Sequence, residues 1–192
     1  MLCFWCDIVD NTSIRNDAAN VTQLVQKFLE AANHEEFVES DLVKNTVAYG
    51  MGAFADALPA EAFKPFLSQA VTLVKSITMR EEAFSPENME VTENAMGALA
   101  KIAYKHMGDG GVTEADLSGV LGFFPLKEDE CEALVSHRIF LEQIQNAGSV
   151  VHTPGVKPAA QEALARIRAH LENESSEDDV KILSHASKAV LG

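Results

Sequence analysis

Apolar residues recur along most of the chain at the three-and-four spacing of one helix face. Between residues 20 and 34 they are Val21, Leu24, Val25, Phe28 and Leu29. The same spacing predicts helices over residues 40–58, 60–79, 85–106, 113–124, 128–148, 158–173 and 176–191. No segment alternates apolar and polar residues convincingly in the manner of a strand. The pattern therefore predicts an all-α protein.

Capping residues suggest where several of these helices begin. Ser40 is a candidate N-cap, and Ser85 followed by Pro86 is a strong start signal for another helix. Thr113 and Asp116 have the spacing of a capping box.

Prolines bear on the remaining boundaries. Pro59 and Pro125 each follow a predicted helix, which must stop there or just before. Pro65 lies near the first turns of its helix, where losing a backbone donor is least costly.

One short sequence occurs twice. Met51–Ala55 is Met-Gly-Ala-Phe-Ala, and Met96–Ala100, 45 residues later, is Met-Gly-Ala-Leu-Ala. Each copy lies in the second helix of a predicted pair, and a period in the forties is typical of HEAT and armadillo arrays. We therefore expect an α-α superhelix of antiparallel helix pairs. Its units are an orphan helix within 1–13, pairs over 18–57, 59–107 and 113–147, and a divergent pair over 157–191.

The glycines of these two helices have two possible roles. A phosphate-binding loop places glycines between a strand and a helix N-terminus, whereas Gly50 and Gly52 follow no strand and lie inside a helix. Glycine inside a helix costs about 1 kcal/mol relative to alanine. We expect close approach of a neighbouring helix to offset this cost, at Gly97 as well.

The composition narrows the classes of partner. The formal net charge of −14 disfavours nucleic acid and anionic membrane surfaces and favours basic proteins. No run of about 18 apolar residues predicts a membrane span. The three cysteines form no disulfide-dense pattern, which indicates a reducing compartment, cytosolic or nuclear.

Motifs that carry catalysis or bind metals are weak in this sequence. Cys3 and Cys6 have a redox spacing but lack the preceding strand that such a site needs. The stretch HMGDGGVTEADL resembles half of a calcium loop, yet it places Lys105 and Met107 where oxygen ligands are required. The six histidines are scattered, and no nucleophile elbow is present. We expect no metal, no cofactor and no enzymatic activity.

Three stretches carry a family resemblance: LVKNTVAYGMGAFA, VTENAMGALAKIAYKHM and GFFPLKEDECEALVSHRIFLEQI. Together they resemble the C-terminal part of importin beta karyopherins of the importin beta-3 (importin-5) type, in the family's order and at compatible spacings. CFWCDIVDNTS is similar to the last helix of a preceding repeat. The resemblance covers about residues 1–150. The helix over 117–124 lacks the family's tryptophans, and the GDGG turn departs from its pattern.

The resemblance implies a nuclear import receptor that shuttles between cytoplasm and nucleus. Such receptors carry basic cargo proteins, contact nucleoporins and release cargo when Ran-GTP binds. In the family the main Ran contacts and the best-known cargo contacts lie in other repeats, so this chain is expected to close the superhelix and add an acidic protein-binding surface. A generic HEAT scaffold subunit is the alternative, and a small redox or metal enzyme is a third possibility.

Second helices of HEAT units line the concave side of the superhelix, so their polar positions are the candidate protein-interaction residues. They are Asp41, Asn45, Asp56, Glu90, Glu93, Lys101 and Glu142. The orphan helix is expected to leave Phe4, Trp5 or Ile8 partly exposed, with self-association through this end as a consequence.

Overall fold

The structure is a computed structural model that describes residues 2–34, 40–109 and 111–173. Its regular elements are helices, and no strand occurs in these ranges, so the predicted all-α class is confirmed for them. The α-helices are α1 (Leu2–Asn11), α2 (Ala18–Ala32), α3 (Asp41–Ala57), α4 (Ala60–Phe63), α5 (Leu67–Thr78), α6 (Met89–His106), α7 (Glu114–Phe123), α8 (Glu130–Gln145) and α9 (Lys157–Asn173). Short 3-10 turns cover Ser13–Asn16, Lys64–Phe66 and Val150–His152.

Four helices contact one another in chain order. Helix α3 packs on both α1 and α6, and α6 packs in turn on α8. The intervening helices lie against this row: α2 contacts α3, α5 contacts α3 and α6, and α7 contacts α6 and α9. Helix α6 is the most enclosed of them, because every residue from Val91 to Ala103 is buried.

The two helices that carry the Met-Gly-Ala repeat, α3 and α6, meet directly. A Cβ atom on Gly52 would lie 3.2 Å from the Cα atom of Ala98, so glycine allows the backbones of α3 and α6 to approach closely. This is the predicted role. Gly97 instead faces side chains of α8, and Gly50 faces Phe28 and Cys6. At those two positions the glycine leaves room for a neighbouring side chain rather than a backbone.

Some predicted helix boundaries are confirmed. Thr113 and Asp116 form both hydrogen bonds of a capping box at the start of α7. That helix ends at Phe123, before Pro125. Ser40 occupies the N-cap position of α3, although its side chain makes no capping hydrogen bond.

The predicted start of α6 is wrong. The helix begins at Met89 rather than after Ser85, because the preceding residues form turns with their own hydrogen bonds. The side-chain amide of Asn88 donates to Ser85 Oγ and to the carbonyl of Glu82. Thr92 reaches back from α6 to the carbonyl of Ala83. These contacts hold the segment in turns in spite of the Ser-Pro start signal.

Other predictions concern the middle and the ends of the chain. Pro65 separates α4 from α5 within a 3-10 turn, so the predicted third helix is divided. Within the described ranges Phe4 is 63% exposed and Trp5 and Ile8 are half-buried, in agreement with the exposure expected for α1. The predicted helix over residues 176–191 lies outside the described residues.

Candidate functional site: a groove over α6

A groove of about 620 Å³ runs across the row of helices. Helix α3 lines one side with Leu42, Asn45, Thr46, Tyr49 and Asp56, and α8 lines the other with Cys131, Glu132, Val135 and Arg138. Helix α6, which packs on both of them, contributes Asn94. The groove therefore lies over α6, with α3 and α8 as its walls. Asp7 and Arg15 lie at the α1 end, and Asp129 lies just before α8.

A chain of polar side chains crosses the floor of the groove. The Asn94 Nδ2 atom donates to Asn45 Oδ1 at 2.7 Å and to Asp129 Oδ2 at 3.2 Å. Asn45 Nδ2 donates in turn to Glu90 Oε1 at 3.0 Å. Asn94 is 2% exposed, and its Oδ1 atom has no hydrogen-bond partner among the described residues. The floor thus holds one buried acceptor that the described part of the chain leaves unsatisfied.

The charges of the groove are only partly neutralised. Asp56 forms an ion pair with Arg15 at 2.9 Å. Asp7 is exposed and makes no ion pair within the described residues. Asp129 uses its carboxylate as the N-cap of α8, accepting from the Glu132 N–H at 3.0 Å. Among the described residues, Asp7 and Asp129 thus make no ion pair, and the same holds for Arg138, an exposed cation on the α8 wall.

A buried ion pair supports the α8 wall from below. Lys101 Nζ lies 2.8 Å from Glu132 Oε1, and their side chains are 5% and 3% exposed. Ser136 Oγ donates to the same carboxylate at 2.6 Å. A Cβ atom on Gly97 would overlap Glu132 Oε1, so the glycine makes room for this carboxylate. The pair joins α6 to α8.

The loop before α8 is fixed by two side chains. Glu93 accepts hydrogen bonds from the N–H groups of Lys127 and Glu128, both at 2.7 Å. His137 Nε2 accepts from the N–H of Leu126 at 3.0 Å, beneath the ring of Phe124. Burial, with a smaller contribution from the charge of His170, lowers the pKa of His137 to about 4. The imidazole is therefore neutral near pH 7 and can accept this bond.

The ammonium group of Lys105 forms hydrogen bonds with backbone carbonyls at the C-terminal end of α3. Lys105 Nζ donates to the carbonyls of Ala55 at 2.8 Å and Asp56 at 2.6 Å. Helix C-terminal carbonyls carry partial negative charge and favour a cation at this place. Burial lowers the pKa of Lys105, and the nearby Asp56 carboxylate partly opposes this effect. This contact ties α6 to the wall of the groove that carries Asp56.

The structure brings some of the predicted interaction residues together and separates others. Asn45 and Asp56 line the groove, and Glu90 is bonded to Asn45 at its edge. Glu142 is exposed on α8 away from the groove. The side chain of Asp41 lies outside the described residues.

Two of those predicted residues do not lie on an open surface. Lys101 is buried against Glu132, and Glu93 is buried against the loop before α8. Their helical positions resemble those of solvent-facing polar residues, but each side chain is bonded within the molecule.

Sequence reasoning missed several residues of the groove, above all Asp7, Asn94 and Asp129. A usable signal existed for Asn94, because it is an amide in a segment of α6 whose neighbours are mostly small or apolar. A polar residue at such a place requires internal partners.

Neither the comparison with known protein families nor the residue types of the described helices assigns a further chemical role to the groove. No family model matches the chain. Within the described ranges, no three His, Cys, Asp or Glu side chains are grouped to hold a metal ion. None of the helices there combines the length and hydropathy needed to cross a bilayer. The arrangement offers hydrogen-bonding groups, carboxylates and exposed apolar side chains.

Proposed function

We propose that this chain is a protein-binding array of HEAT type and that the groove over α6 is its docking site. The observation that carries the proposal is that successive helices of one row build the groove together. Asn45 and Glu90, which are 45 residues apart, are hydrogen-bonded across α3 and α6. This is the separation of the Met-Gly-Ala repeat. Contact between equivalent positions of successive units is what a solenoid of stacked repeats predicts.

The partner is a basic segment with apolar side chains. Asp7 and Asp129 supply negative charge without a cationic partner in the described chain. Leu42 is 72% exposed on the α3 wall, and Val135 is partly exposed on the α8 wall. A segment with lysine or arginine near the acids and an aliphatic residue between the walls matches both features.

At the level of the whole protein, we propose the C-terminal part of an importin beta type nuclear transport receptor. The stretches that resemble this family form α3, α6, and α8 with the loop before it, so they build the walls and floor of the groove. The chain then helps to close the superhelix and presents an acidic surface to basic cargo. The main Ran-GTP contacts of such a receptor, which moves between cytoplasm and nucleus, belong to other repeats, and nucleoporins are further partners of the whole receptor.

A charge reversal tests the docking site. Binding of a fluorescein-labelled nonapeptide, Gly-Gly-Lys-Gly-Leu-Gly-Lys-Gly-Gly, is measured by fluorescence polarisation at low salt. Asp7→Lys should weaken binding by about tenfold, because reversing one charge changes a contact energy in water by up to about 2 kcal/mol. Glu87→Lys is the matched control, since Glu87 is an exposed acid that does not line the groove. Equal effects of the two variants would refute the groove as the site.

Import assays test the receptor. The full-length receptor, with and without residues 1–192, is supplied to permeabilised cells together with a fluorescent basic reporter and Ran. The receptor proposal expects reduced nuclear accumulation of the reporter without these residues. If accumulation and Ran-GTP response are unchanged while the nonapeptide still binds the groove, the chain belongs to a HEAT scaffold of another kind.

A further inference from the structure

The unsatisfied Oδ1 atom of Asn94 is the most informative feature of the groove. A buried carbonyl oxygen without a hydrogen bond is unfavourable by about 1–3 kcal/mol, and such atoms are uncommon in native proteins. Asn94 cannot satisfy it by exchanging its amide N and O atoms. The present orientation already lets Nδ2 donate to Asn45 on one side and Asp129 on the other. Oδ1 therefore stays an acceptor, and its donor is a group outside the described residues, either water or a bound chain.

The groove is the direction from which a donor can come. Asn94 is held between α3 and the start of α8, and the rest of α6 is packed on α3, α5, α7 and α8. It is also the residue through which α6 contributes to the groove. Asn94 thus lies at the floor of the groove between the two walls, with its Oδ1 atom buried while the groove is empty.

The nature of the acceptor selects the kind of donor. Burying an ammonium group beside a neutral amide oxygen is far more costly than burying a peptide N–H. The exposed carboxylate of Asp7 can take a cation that remains in contact with water. The buried amide suits a main-chain donor and the exposed acid suits a lysine or arginine side chain.

We infer that the groove receives its partner as an extended segment, one backbone N–H of which donates to Asn94 Oδ1. The inference rests on the proposed docking function and specifies its chemistry. An extended chain carries N–H groups that are not bonded within the segment, whereas those in the interior of a helix are bonded already. Asn94 then fixes the register of the bound chain, and the acids and apolar walls select its side chains.

An ester scan of the same nonapeptide tests this bond without altering the protein. Each backbone N–H is replaced in turn by an ester oxygen, and binding to the native chain is measured by fluorescence polarisation. One position should weaken binding by about fivefold, the equivalent of a typical net hydrogen bond, and the others should have smaller effects. Asn94→Leu, checked for folding by its thermal melt, should bind the ester and amide forms of that position equally.

The outcomes separate this inference from the function on which it rests. If the peptide binds and Asp7→Lys weakens binding while the ester scan is flat, the docking site stands and the Asn94 bond is refuted. A flat ester scan together with a large loss when one lysine becomes norleucine identifies an ammonium donor and also refutes it. If the peptide does not bind at all, the proposed docking function and the inference fail together.

Discussion

The junction between α3 and α6 differs from the junction between α6 and α8, although the same Met-Gly-Ala sequence stands at both. At the first, Gly52 lies against the backbone of Ala98, and the atoms around this one glycine are apolar. At the second, Gly97 lies against Glu132 and Ser136. The role of each glycine depends on which residues of the next helix face it. The sequence pattern within one helix does not show which residues these are.

Lys101 connects the two junctions. A Cβ atom on Gly52 would lie 3.3 Å from its Cδ atom, while its Nζ atom is paired with Glu132. One glycine therefore leaves room for the aliphatic part of the lysine and the other for the carboxylate that neutralises it. The two copies of the repeat cooperate in enclosing a single ion pair beneath the groove.

The largest expected effect comes from breaking that ion pair. Lys101→Met leaves Glu132 buried without its cation, and removing one partner of a buried pair typically costs about 3–5 kcal/mol. We expect a loss of this size in the free energy of unfolding, measured by urea denaturation at pH 7. The double variant Lys101→Met with Glu132→Gln should recover more than half, because the amide oxygen still accepts from Ser136. A loss below about 1 kcal/mol in the single variant would show that the pair does not hold the junction.

The next largest effect is expected at acid pH, where the titration of His137 on α8 should lower the free energy of unfolding. The pKa of His137 is about 4 in the folded chain, against about 6.5 in the unfolded chain. The unfolded chain therefore takes up the proton first as the pH falls. The stabilisation is complete above about pH 6.5 and is lost as the pH falls towards 4, by roughly 3 kcal/mol in all.

Urea denaturation at pH 7.5 and 4.5 measures this loss. His137→Gln provides the comparison, since glutamine can still accept from the Leu126 N–H but does not titrate. The variant should lose less stability than the native chain between the two pH values. His106, whose pKa burial also lowers, accounts for part of the remainder. Equal losses in both proteins would contradict the assignment to His137.

The elements that depend on local sequence were predicted well. The apolar period indicates α2, α3 and α6–α9, and the Thr113 capping box forms because its two bonds need only residues three apart. Where tertiary contacts compete, the local signal fails. Ser85 and Pro86 should open α6, but Asn88 and Thr92 bond to the preceding turns and the helix begins later.

The candidate site was predicted only in part, for a related reason. Asn45 and Asp56 were found because polar residues on one helix face commonly line an open surface. The same rule assigned Lys101 and Glu93 to that surface, whereas each is paired with a segment more than 30 residues away. Periodicity places a residue on a face of its helix. It does not show which helix covers that face.

Alanine substitutions at the two glycines sharpen the comparison, with smaller effects. Gly97→Ala must displace the Glu132 carboxylate from its buried pair, and we expect a loss of about 2–3 kcal/mol. Gly52→Ala must separate α3 from α6 by a few tenths of an ångström. That strain is partly offset by the higher helix propensity of alanine, so the expected loss is about 0–2 kcal/mol. Urea denaturation of both variants shows which one loses more free energy of unfolding. A larger loss for Gly52→Ala than for Gly97→Ala would contradict our account of the two junctions.

Gly119→Ala is the matched control for both substitutions. Gly119 is also a glycine within a helix, but it is exposed on α7, and a Cβ atom there would have no neighbouring element of the described chain within 4 Å. Only the difference in helix propensity between glycine and alanine then acts, so this variant should be more stable than the native chain by about 0.5–1 kcal/mol. The sign of the change then separates intrinsic helix propensity from packing. If Gly119→Ala were destabilising as well, the losses at Gly52 and Gly97 could not be assigned to the helices that they face.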